Sequence, residues 1–187
     1  MEGTIFVELS DSALVEECLA GRREVFALLV ERHQDAVYHL AYRMTGQAAD
    51  AADLAQEAFI RAFQKLDSYD ASYSFRNWVM GICANRTRNF FRSVSRRRRM
   101  EEEHAQFCEV AAQEQTDDSR RAALEHALQE LPEKVRLPLV LKYMEGLSHE
   151  EISRILKVGL SAVKMRILRG RDELARRMRV PEGTAAL

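Results

Sequence analysis

The chain has 187 residues, of which 47% are hydrophobic and 30% are charged, and its formal net charge at pH 7 is −1. These values are typical of a folded protein with one ordinary domain or two small ones, and they exclude a disordered chain. No apolar run approaches the roughly 20 residues of a membrane-spanning helix, no secretory leader is recognisable, and the three cysteines form no CxxC pair. We therefore expect a cytoplasmic protein without membrane insertion.

Helical patterns fill the first half of the chain. Four helices are predicted there, over 10–20, 24–44, 50–66 and from Phe75 into the Arg run at 95–99. Gly21 and Gly46 end the first two helices, and the segment 67–74, rich in Asp, Ser and Tyr, forms a loop before the fourth.

The second half is also helical, after an acidic segment of weak periodicity. Helices are predicted over 119–130, from Pro132 to 145, from Ser148 to 157 and from Ser161 onwards, and Pro138 is expected to bend or split the second of these. No strand pattern is visible, and Pro and Gly are scarce. The predicted fold is therefore all-α, with two small helical domains at 1–95 and 119–187 joined by a flexible linker at 96–118.

The small net charge conceals segregated blocks. Residues 1–75 hold 6 Lys/Arg against 13 Asp/Glu, and residues 76–100 hold 8 Arg and no acid. Residues 101–119 hold 7 acids and no base, whereas residues 120–187 hold 14 bases against 9 acids. Solvated faces of mixed sign do not usually divide this cleanly. Two basic blocks separated by an acidic one therefore indicate two regions that meet phosphate.

The two C-terminal helices have the layout of a helix-turn-helix. Ser148 and Glu151 fit a capping box, Gly159 lies in a short turn, and Ser161 is a candidate cap for the last helix. That helix has one apolar stripe: Val163, Ile167, Gly170, Leu174 and Met178. Its opposite face carries Ser161, Met165 and Leu168 between Lys164 and Arg169, groups that suit base edges and phosphates in a major groove. Arg166 and Arg171 border the stripe. The plainer alternative is a basic surface helix that closes a small bundle.

The Arg-rich fourth helix suggests single-stranded nucleic acid. Its predicted buried side is Phe75, Val79, Ile82, Cys83 and Phe90, and its opposite side is Asn77, Gly81, Asn85, Arg88 and Arg92, with Trp78 and Asn89 at the border. With Tyr69 and Tyr73 just before it, the region combines amides, charge and stacking surfaces, which unstacked bases require. Taken singly, Phe75 and Trp78 are more often core residues.

The third helix presents a different face. Asp53, Glu57, Ile60 and Gln64 place acidic and amide groups around one exposed apolar residue, which suits a protein partner better than DNA. An ordinary solvated surface is the alternative. No catalytic residue, no cofactor and no metal site is predicted, so an enzyme is not expected. His104 and Cys108 lie four residues apart, but two ligands are too few for a metal site.

Several segments resemble the extracytoplasmic-function (ECF) sigma factors of bacteria, which belong to the sigma-70 family. They are "DAADLAQEAFIRAFQKL", "FRNWVMGICANRTRNFFRS", "LPEKVRLPLVLKYMEGLSHEEISRIL" and "VKMRILRGRDEL", in the family's order. The resemblance implies a sigma-2-like and a sigma-4-like domain, core RNA polymerase as partner through its beta-prime clamp and beta flap, promoter DNA as ligand, and control by an anti-sigma factor. A stress response is the expected setting.

The resemblance also implies roles for particular residues. Those expected to contact polymerase are Asp50, Asp53, Leu54, Gln56, Glu57 and Phe59, together with Ile60 and Gln64. Those expected to bind the melted −10 strand are Tyr69, Tyr73, Phe75, Arg76, Asn77, Trp78, Asn85, Arg88, Asn89 and Arg92, with Asn85 at the pocket for a flipped base. Those expected to bind the −35 duplex are Ser161, Lys164, Met165, Arg166, Leu168, Arg169 and Arg171.

One stretch departs from the family pattern. Family members commonly have Pro-x-Gly-Thr-Val in the turn, whereas this chain has Gly159-Leu160-Ser161-Ala162-Val163. Ala162 lacks the hydroxyl that a Thr would offer to a phosphate, so that contact is not expected here. The rival interpretation is a conventional helix-turn-helix regulator that binds duplex DNA alone. It would leave the Arg-rich helix and the acidic face without a function.

Overall fold

The structure is a computed structural model that describes residues 8–102 and 119–178. All regular secondary structure in these two ranges is helical, which confirms the all-α class. Two 3₁₀ turns, Arg23–Val25 and Leu66–Ser68, accompany the α-helices of the described ranges: α1 Asp11–Leu19, α2 Phe26–Thr45, α3 Ala48–Gln64, α4 Phe75–Glu102, α5 Ser119–Gln129, α6 Glu133–Tyr143, α7 His149–Leu156 and α8 Leu160–Met178.

The first unit, α1 to α4, is built around α2, which packs against the other three helices. α2 ends at Gly46, whose φ of 72° is the left-handed conformation that glycine adopts without strain. The core of the unit is formed by apolar side chains that recur at helical spacing on α2 and α3: Leu29, Val37, Leu40, Met44, Leu54, Ala58, Phe59 and Ala62. The predicted helices of this half are thereby confirmed to within a few residues.

The fourth helix was predicted to run into the Arg run at 95–99. α4 continues to Glu102, so it extends about three residues beyond that run and into the predicted linker. Arg and Glu are good helix formers, and a helix already stabilised by packing is extended by them at little cost. The rest of the predicted linker, with His104 and Cys108, lies outside the described residues.

The second unit, α5 to α8, is held together by α8, which packs against α5, α6 and α7. α6 runs without interruption through Pro138, so of the two predicted effects, a bend or a split, the split does not occur. Pro138 lacks one backbone hydrogen bond, but it is buried together with its neighbours Leu137, Leu139, Val140 and Leu141. The packing of this apolar segment outweighs the local penalty of the proline.

The two units pack against each other. α2 contacts α5 and α6, and α4 contacts α6 and α7. Met80 and Cys83 of α4 belong to the same buried cluster as Leu137 and Leu141 of α6. The two predicted domains therefore share one apolar core in this structure.

Polar contacts reinforce this packing at the end of α2. The side-chain amide nitrogen of Gln129 donates to the carbonyl oxygen of Arg43 at 2.9 Å and to that of Tyr42 at 3.4 Å. The last carbonyls of a helix have no partner within the helix. A residue of the second unit thus satisfies backbone groups of the first.

A close approach of α6 and α8 generates the first prediction. A Cβ atom at Gly170 would lie 2.8 Å from a γ-carbon of Val135 and 3.0 Å from a δ-carbon of Leu139. We expect Gly170→Val to lower the free energy of unfolding by about 2 kcal/mol, because the larger side chain forces the two helices apart. Urea denaturation measures the change. Gly159→Ser is the control, because no atom lies within 4 Å of the added Cβ. Equal stability of the two variants would contradict the close packing.

Candidate nucleic-acid interfaces

The exposed face of α8 has the composition predicted from the sequence. Val163, Ile167 and Gly170 are buried against the unit, whereas Met165 is 48% and Leu168 is 41% exposed. Lys164 and Arg169 are exposed on either side of this apolar pair, and Ser161 and Arg171 are exposed as well. Arg166 is half-buried. The face therefore offers apolar contact and positive charge together, as base-edge and phosphate contacts require.

The turn before α8 is held by local hydrogen bonds. The capping box is present, since the Ser148 hydroxyl accepts from the backbone N–H of Glu151 and the Glu151 carboxylate accepts from that of Ser148. Lys157 takes a left-handed φ of 53° to end α7, and the Ser153 hydroxyl donates to the carbonyl of Val158 at 2.6 Å. These contacts fix the angle between α7 and α8, as a helix-turn-helix needs.

The predicted cap of α8 is wrong by two residues. The helix begins at Leu160, and the backbone N–H of Val163 donates to the carbonyl of Gly159. Ser161 therefore lies in the first turn, with its side chain exposed. A glycine is acceptable at the position before the helix, which removes the need for the serine.

α7 covers the face of α4 that carries the predicted −10 residues. Asn77 donates through its side-chain nitrogen to a carboxylate oxygen of Glu151 at 2.5 Å. Arg88 donates to the carbonyl of Leu156 at 3.3 Å. A Cβ added at Gly81 would lie 3.4 Å from a γ-carbon of Ile155. This side of α4, expected to face solvent, is instead a contact between the two units.

The carboxylate of Glu151 is the anionic part of this contact. Its pKa is lowered by the backbone N–H of Ser148, and the Ser148 hydroxyl, Asn77 and Arg154 lower it further, against the opposing effect of desolvation. A carboxyl with a lowered pKa is charged at neutral pH and loses its contribution only when the pH falls through that lowered value. The contact with Asn77 is therefore present throughout the physiological range.

The predicted stacking residues differ in their accessibility. Phe75 is fully buried, with its ring 5.6 Å from that of Trp78, so it offers no stacking surface to a base in this structure. A 370 Å³ cleft between α4 and α7 is lined in part by Trp78, Tyr73 and Asn85. The guanidinium of Arg154 lies 4.3 Å above the ring of Tyr73. Trp78 and Tyr73 are thus near the surface but are occupied by the second unit.

The remaining predicted −10 residues fall into two groups. Tyr69 is half-buried, and its hydroxyl donates to the carbonyl of Tyr73 at 2.6 Å. Asn85 is half-buried and donates to the carbonyl of Gly81 at 2.9 Å. Asn89 and Arg92, in contrast, are exposed. The open part of this surface is therefore the C-terminal half of α4.

A buried carboxylate joins the two units at one more point. The side chain of Glu145 is only 3% exposed, and its two oxygens accept from Arg43 and from Arg76, each at 2.7 Å. Arg76 also donates to the backbone carbonyl of Glu145 at 3.3 Å. Arg76, expected to bind DNA, is thus an ion-pair partner of the second unit. Because the sequence separation is large, no local pattern could have indicated this pair.

The face of α3 expected to bind polymerase is largely open. Asp53, Gln56, Glu57, Ile60 and Gln64 are exposed, and Asp50 is half-buried. Leu54 and Phe59 are 5% and 7% exposed, so these two side chains offer almost no surface to a partner in this structure. Leu54 and Phe59 lie on the buried face of α3, where their packing holds the exposed residues of the helix in place.

A groove lies beside this face, and the sequence pattern did not predict it. It has a volume of 620 Å³, lies between α2 and α3, and is lined by Ile60, Phe63 and Tyr38, among others. Phe63 is 38% exposed. Its position three residues after Ile60 is the signal that could have placed it on the same face. The groove adds an apolar floor to the acidic and amide face.

Other kinds of site are not indicated in the parts of the chain described. Residues 8–102 and 119–178 contain no group of three or more His, Cys, Asp or Glu side chains that could hold a metal ion. No helix of these ranges is long and apolar enough to cross a membrane. Cys83 is fully buried, and burial raises the pKa of its thiol to about 12, so it is inert as a nucleophile.

Comparison with known proteins identifies the family. Residues 29–97 match the family profile "Sigma-70 region 2", and residues 121–174 match "Sigma-70, region 4". The ECF RNA polymerase sigma factor SigW of Bacillus subtilis is 32% identical over 191 residues, an alignment that covers 92% of this chain and 99% of SigW. The chain belongs to the ECF RNA polymerase sigma factors. The ECF sigma factor SigE of Mycolicibacterium smegmatis is 42% identical over 155 residues, covering 78% of this sigma factor and 58% of SigE.

Solved structures have the same fold. The sigma factor RpoE of Bartonella quintana, in complex with the anti-sigma factor NepR, matches with a TM-score of 0.67 and 24% identity over 83% of this chain and 98% of RpoE. CnrH in complex with the cytosolic domain of CnrY matches with a TM-score of 0.65 and 25% identity over 89% and 95% of the two chains. The helices of this sigma factor therefore have an arrangement known in experimental structures.

The buried pair at Glu145 generates the second prediction. Glu145→Gln removes the charge that holds Arg43 and Arg76, and we expect the contact between the units to weaken by about 2 kcal/mol, allowing for the partial exposure of both arginines. Small-angle scattering should show the radius of gyration, about 16 Å for a compact chain of this length, increase by several ångströms. Glu16→Gln, an exposed acid on α1, is the control. An unchanged radius in Glu145→Gln would mean that the apolar core alone holds the units together.

Proposed function

We propose that this sigma factor binds core RNA polymerase through the face of α3 and directs it to promoters through α4 and α8. The observation that carries the proposal is the exposed face of α8, where Met165 and Leu168 lie between Lys164 and Arg169 on a firmly packed helix-turn-helix. Exposed apolar side chains that lie between two cationic side chains are a composition typical of a binding surface. In a major groove, Met165 and Leu168 contact thymine methyl groups, while Lys164 and Arg169 reach guanine edges and phosphates. This helix reads the −35 element.

The −10 element is the ligand of α4 in this proposal. Asn77 and Asn85 offer amide groups to base edges, Trp78 and Tyr73 offer ring surface, and Arg92 offers charge to the backbone. The combination suits a melted strand, because only unstacked bases present both their edges and their faces. Phe75 is buried and supports Trp78 from below.

Recognition of the −10 strand requires the two units to separate. In the closed arrangement Asn77 and Arg88 are bonded to α7, and no strand reaches them. Each of these polar contacts is worth about 0.5–3 kcal/mol, and the apolar core that the two units share adds to the free energy of the closed arrangement. Binding to polymerase, which holds the two units at separate promoter elements, supplies the opposing free energy.

The partner of the α3 face is the clamp of polymerase. Ile60 and Phe63 offer an apolar centre, and Asp53, Gln56 and Glu57 surround it with polar groups. A small apolar centre with a polar rim is the usual composition of a transient protein interface. DNA would be repelled by the acids. The beta flap is the expected partner of the second unit.

Regulation by an anti-sigma factor is part of the proposal. The related fold of RpoE is known in complex with the anti-sigma factor NepR, and the exposed faces of α3 and α8 are the surfaces that such a protein would have to cover. The sigma factor acts in the cytoplasm, where polymerase is found. It is a binding subunit without a catalytic role of its own, and a stress response is its expected setting.

Run-off transcription tests this function directly. Bacterial core polymerase is incubated with a genomic DNA pool, with and without this protein. Start sites that appear only with the protein and share a −35 and a −10 element support the proposal. Specific binding of duplex DNA by the protein alone, without new start sites, would favour the rival regulator and contradict the proposed role of α3.

The −35 contact generates the third prediction. Arg169→Ala should lower initiation at a −35-dependent promoter by about 10- to 100-fold, because a direct contact to a base or phosphate is worth about 1–3 kcal/mol. Arg176→Ala is the control, since Arg176 lies at the other end of α8 and forms an ion pair with Glu173. Quantitative run-off assays at several salt concentrations measure the activity of both variants.

The same assays show whether Arg169 contacts a base or a phosphate. If it contacts only phosphate, the activity of Arg169→Ala depends less steeply on salt concentration and its sequence preference does not change. Equal activity of the two variants contradicts the assignment of α8.

The polymerase contact generates the fourth prediction. Ile60→Asp should weaken binding to core polymerase by about tenfold or more, because a charge would replace the apolar centre of the face. Leu19→Asp is a matched control, because Leu19 is 55% exposed on α1 and Ile60 is 50% exposed on α3. Fluorescence anisotropy with labelled protein measures the dissociation constants, and circular dichroism checks that both variants are folded. Equal affinities would place the polymerase contact elsewhere.

A further inference from the structure

The contact between the two units encloses a positively charged cleft, which exists only in the closed arrangement. It has a volume of 790 Å³ and lies between α4, α6 and α8. One carboxylate, that of Glu133, lines it. Six cations from both units also line it: Arg88, Arg92, Arg96, Lys134, Arg136 and Arg166.

Most of these charges have no counter-ion in the described part of the chain. Glu133 approaches only Arg88, at 3.8 Å. Arg92, Arg96 and Lys134 are exposed and form no ion pair with any described acid. Bringing like charges together from two units opposes the closed arrangement, unless something neutralises them.

Arg136 is the strongest sign of a missing anion. It is 5% exposed, its guanidinium lies 5.4 Å from the ring of Phe91, and its one described hydrogen-bond partner is the side-chain oxygen of Gln129. Its Nε atom is buried without a partner. Desolvation lowers its pKa to about 10, so it is still charged at neutral pH. The charge of Glu133 acts in the opposite direction but offsets this desolvation only in part, and a buried cation that is incompletely compensated is destabilising.

The walls of the cleft indicate the chemical class of the anion. Its volume lies within the range of sites for small molecules. Apolar side chains line part of it, including Phe91, Leu131 and Pro138. Several closely spaced cations favour adjacent phosphates over a single carboxylate, and arginine is well suited to phosphate oxygens.

We propose that this cleft binds a small polyphosphorylated anion, of the class of inorganic oligophosphates and nucleoside polyphosphates. Its phosphates contact Lys134, Arg96 and Arg166 from two different units. A ligand that binds only when both walls are present stabilises the closed arrangement by a free energy that grows with the logarithm of its concentration above its dissociation constant. It thereby keeps α7 on α4. That consequence for promoter binding rests on the proposed function, whereas the site itself does not.

Calorimetric titration of the full chain with tripolyphosphate, at constant ionic strength, tests the site. Lys134→Glu and Arg96→Glu, both at exposed cleft residues, should each weaken binding by about tenfold or more. Arg23→Glu changes the net charge equally on an exposed residue of the first unit and should bind as the original chain does. Equal weakening by all three, or no binding of tripolyphosphate, overturns the proposal.

Two further ligands, orthophosphate and GTP, show which kind of phosphate compound the cleft binds. Orthophosphate should bind at least about tenfold more weakly than tripolyphosphate, because it spans fewer cations. Tighter binding of GTP than of tripolyphosphate would identify a nucleotide, held also by the apolar wall. Equal binding of the two would identify an inorganic oligophosphate. Binding of a single-stranded oligonucleotide without binding of tripolyphosphate would overturn the proposal, since the cleft would then be a nucleic-acid surface.

The fluorescence of Trp78 reports whether the two units are in the closed arrangement, because Trp78 is the single tryptophan of the chain and lines the cleft between α4 and α7. Tripolyphosphate should reduce the quenching of its fluorescence by acrylamide, and should do so less in Lys134→Glu. Unchanged quenching at saturating tripolyphosphate would overturn the link between the site and closure. None of these measurements uses polymerase or a promoter, so their failure is distinct from a failure in run-off transcription.

Discussion

A buried carboxylate needs cations, and Glu145 finds both of its cations in the other half of the molecule. Arg43 comes from α2 and Arg76 from α4, each 2.7 Å from one oxygen of a side chain that is 3% exposed. Removal of either arginine leaves one oxygen of this buried carboxylate without its cation, which is destabilising. The position of the second unit on the first follows from this constraint, and with it the contact of α7 with α4 and the cleft between α4, α6 and α8.

The closed arrangement uses the same side chains that nucleic-acid binding would use. Arg76, Asn77 and Arg88 carry charge or amide groups on α4, and each is bonded to an acid or carbonyl of the second unit. A carboxylate and a phosphate are alternative partners for such groups, so one contact excludes the other. The exposed face of α8 is different. Lys164 and Arg169 on α8 remain exposed, which leaves the two predicted DNA surfaces unequal in accessibility.

Charge segregation along the chain has a structural consequence. Acids of the second unit, Glu145 and Glu151, meet the N-terminal half of α4, where they form short polar contacts. Further along α4, Arg92 and Arg96 line the cleft beside α6. The residues of α6 that line the same cleft include Lys134 and one acid, Glu133. Among the described residues, acids therefore meet α4 at one end of the contact, whereas cations outnumber acids at the other; we expect this asymmetry to make the closed arrangement sensitive to anions. A purely apolar contact would not have this property.

The sequence by itself determined the helices, because a helix is recognised from neighbours three or four residues apart. The stripe of Val163, Ile167 and Gly170, the capping box at Ser148 and the Gly46 terminus were all predictable for this reason. The exposed faces of α3 and α8 followed from the same period, and the resemblance supplied their roles. Only the tertiary structure decided what covers each face. The ion pairs of Glu145, the burial of Gly81 by Ile155 and the continuity of α6 through Pro138 depend on residues far apart in the chain or on packing around them. Such contacts leave no periodic signal, since their free energy arises only when the units meet.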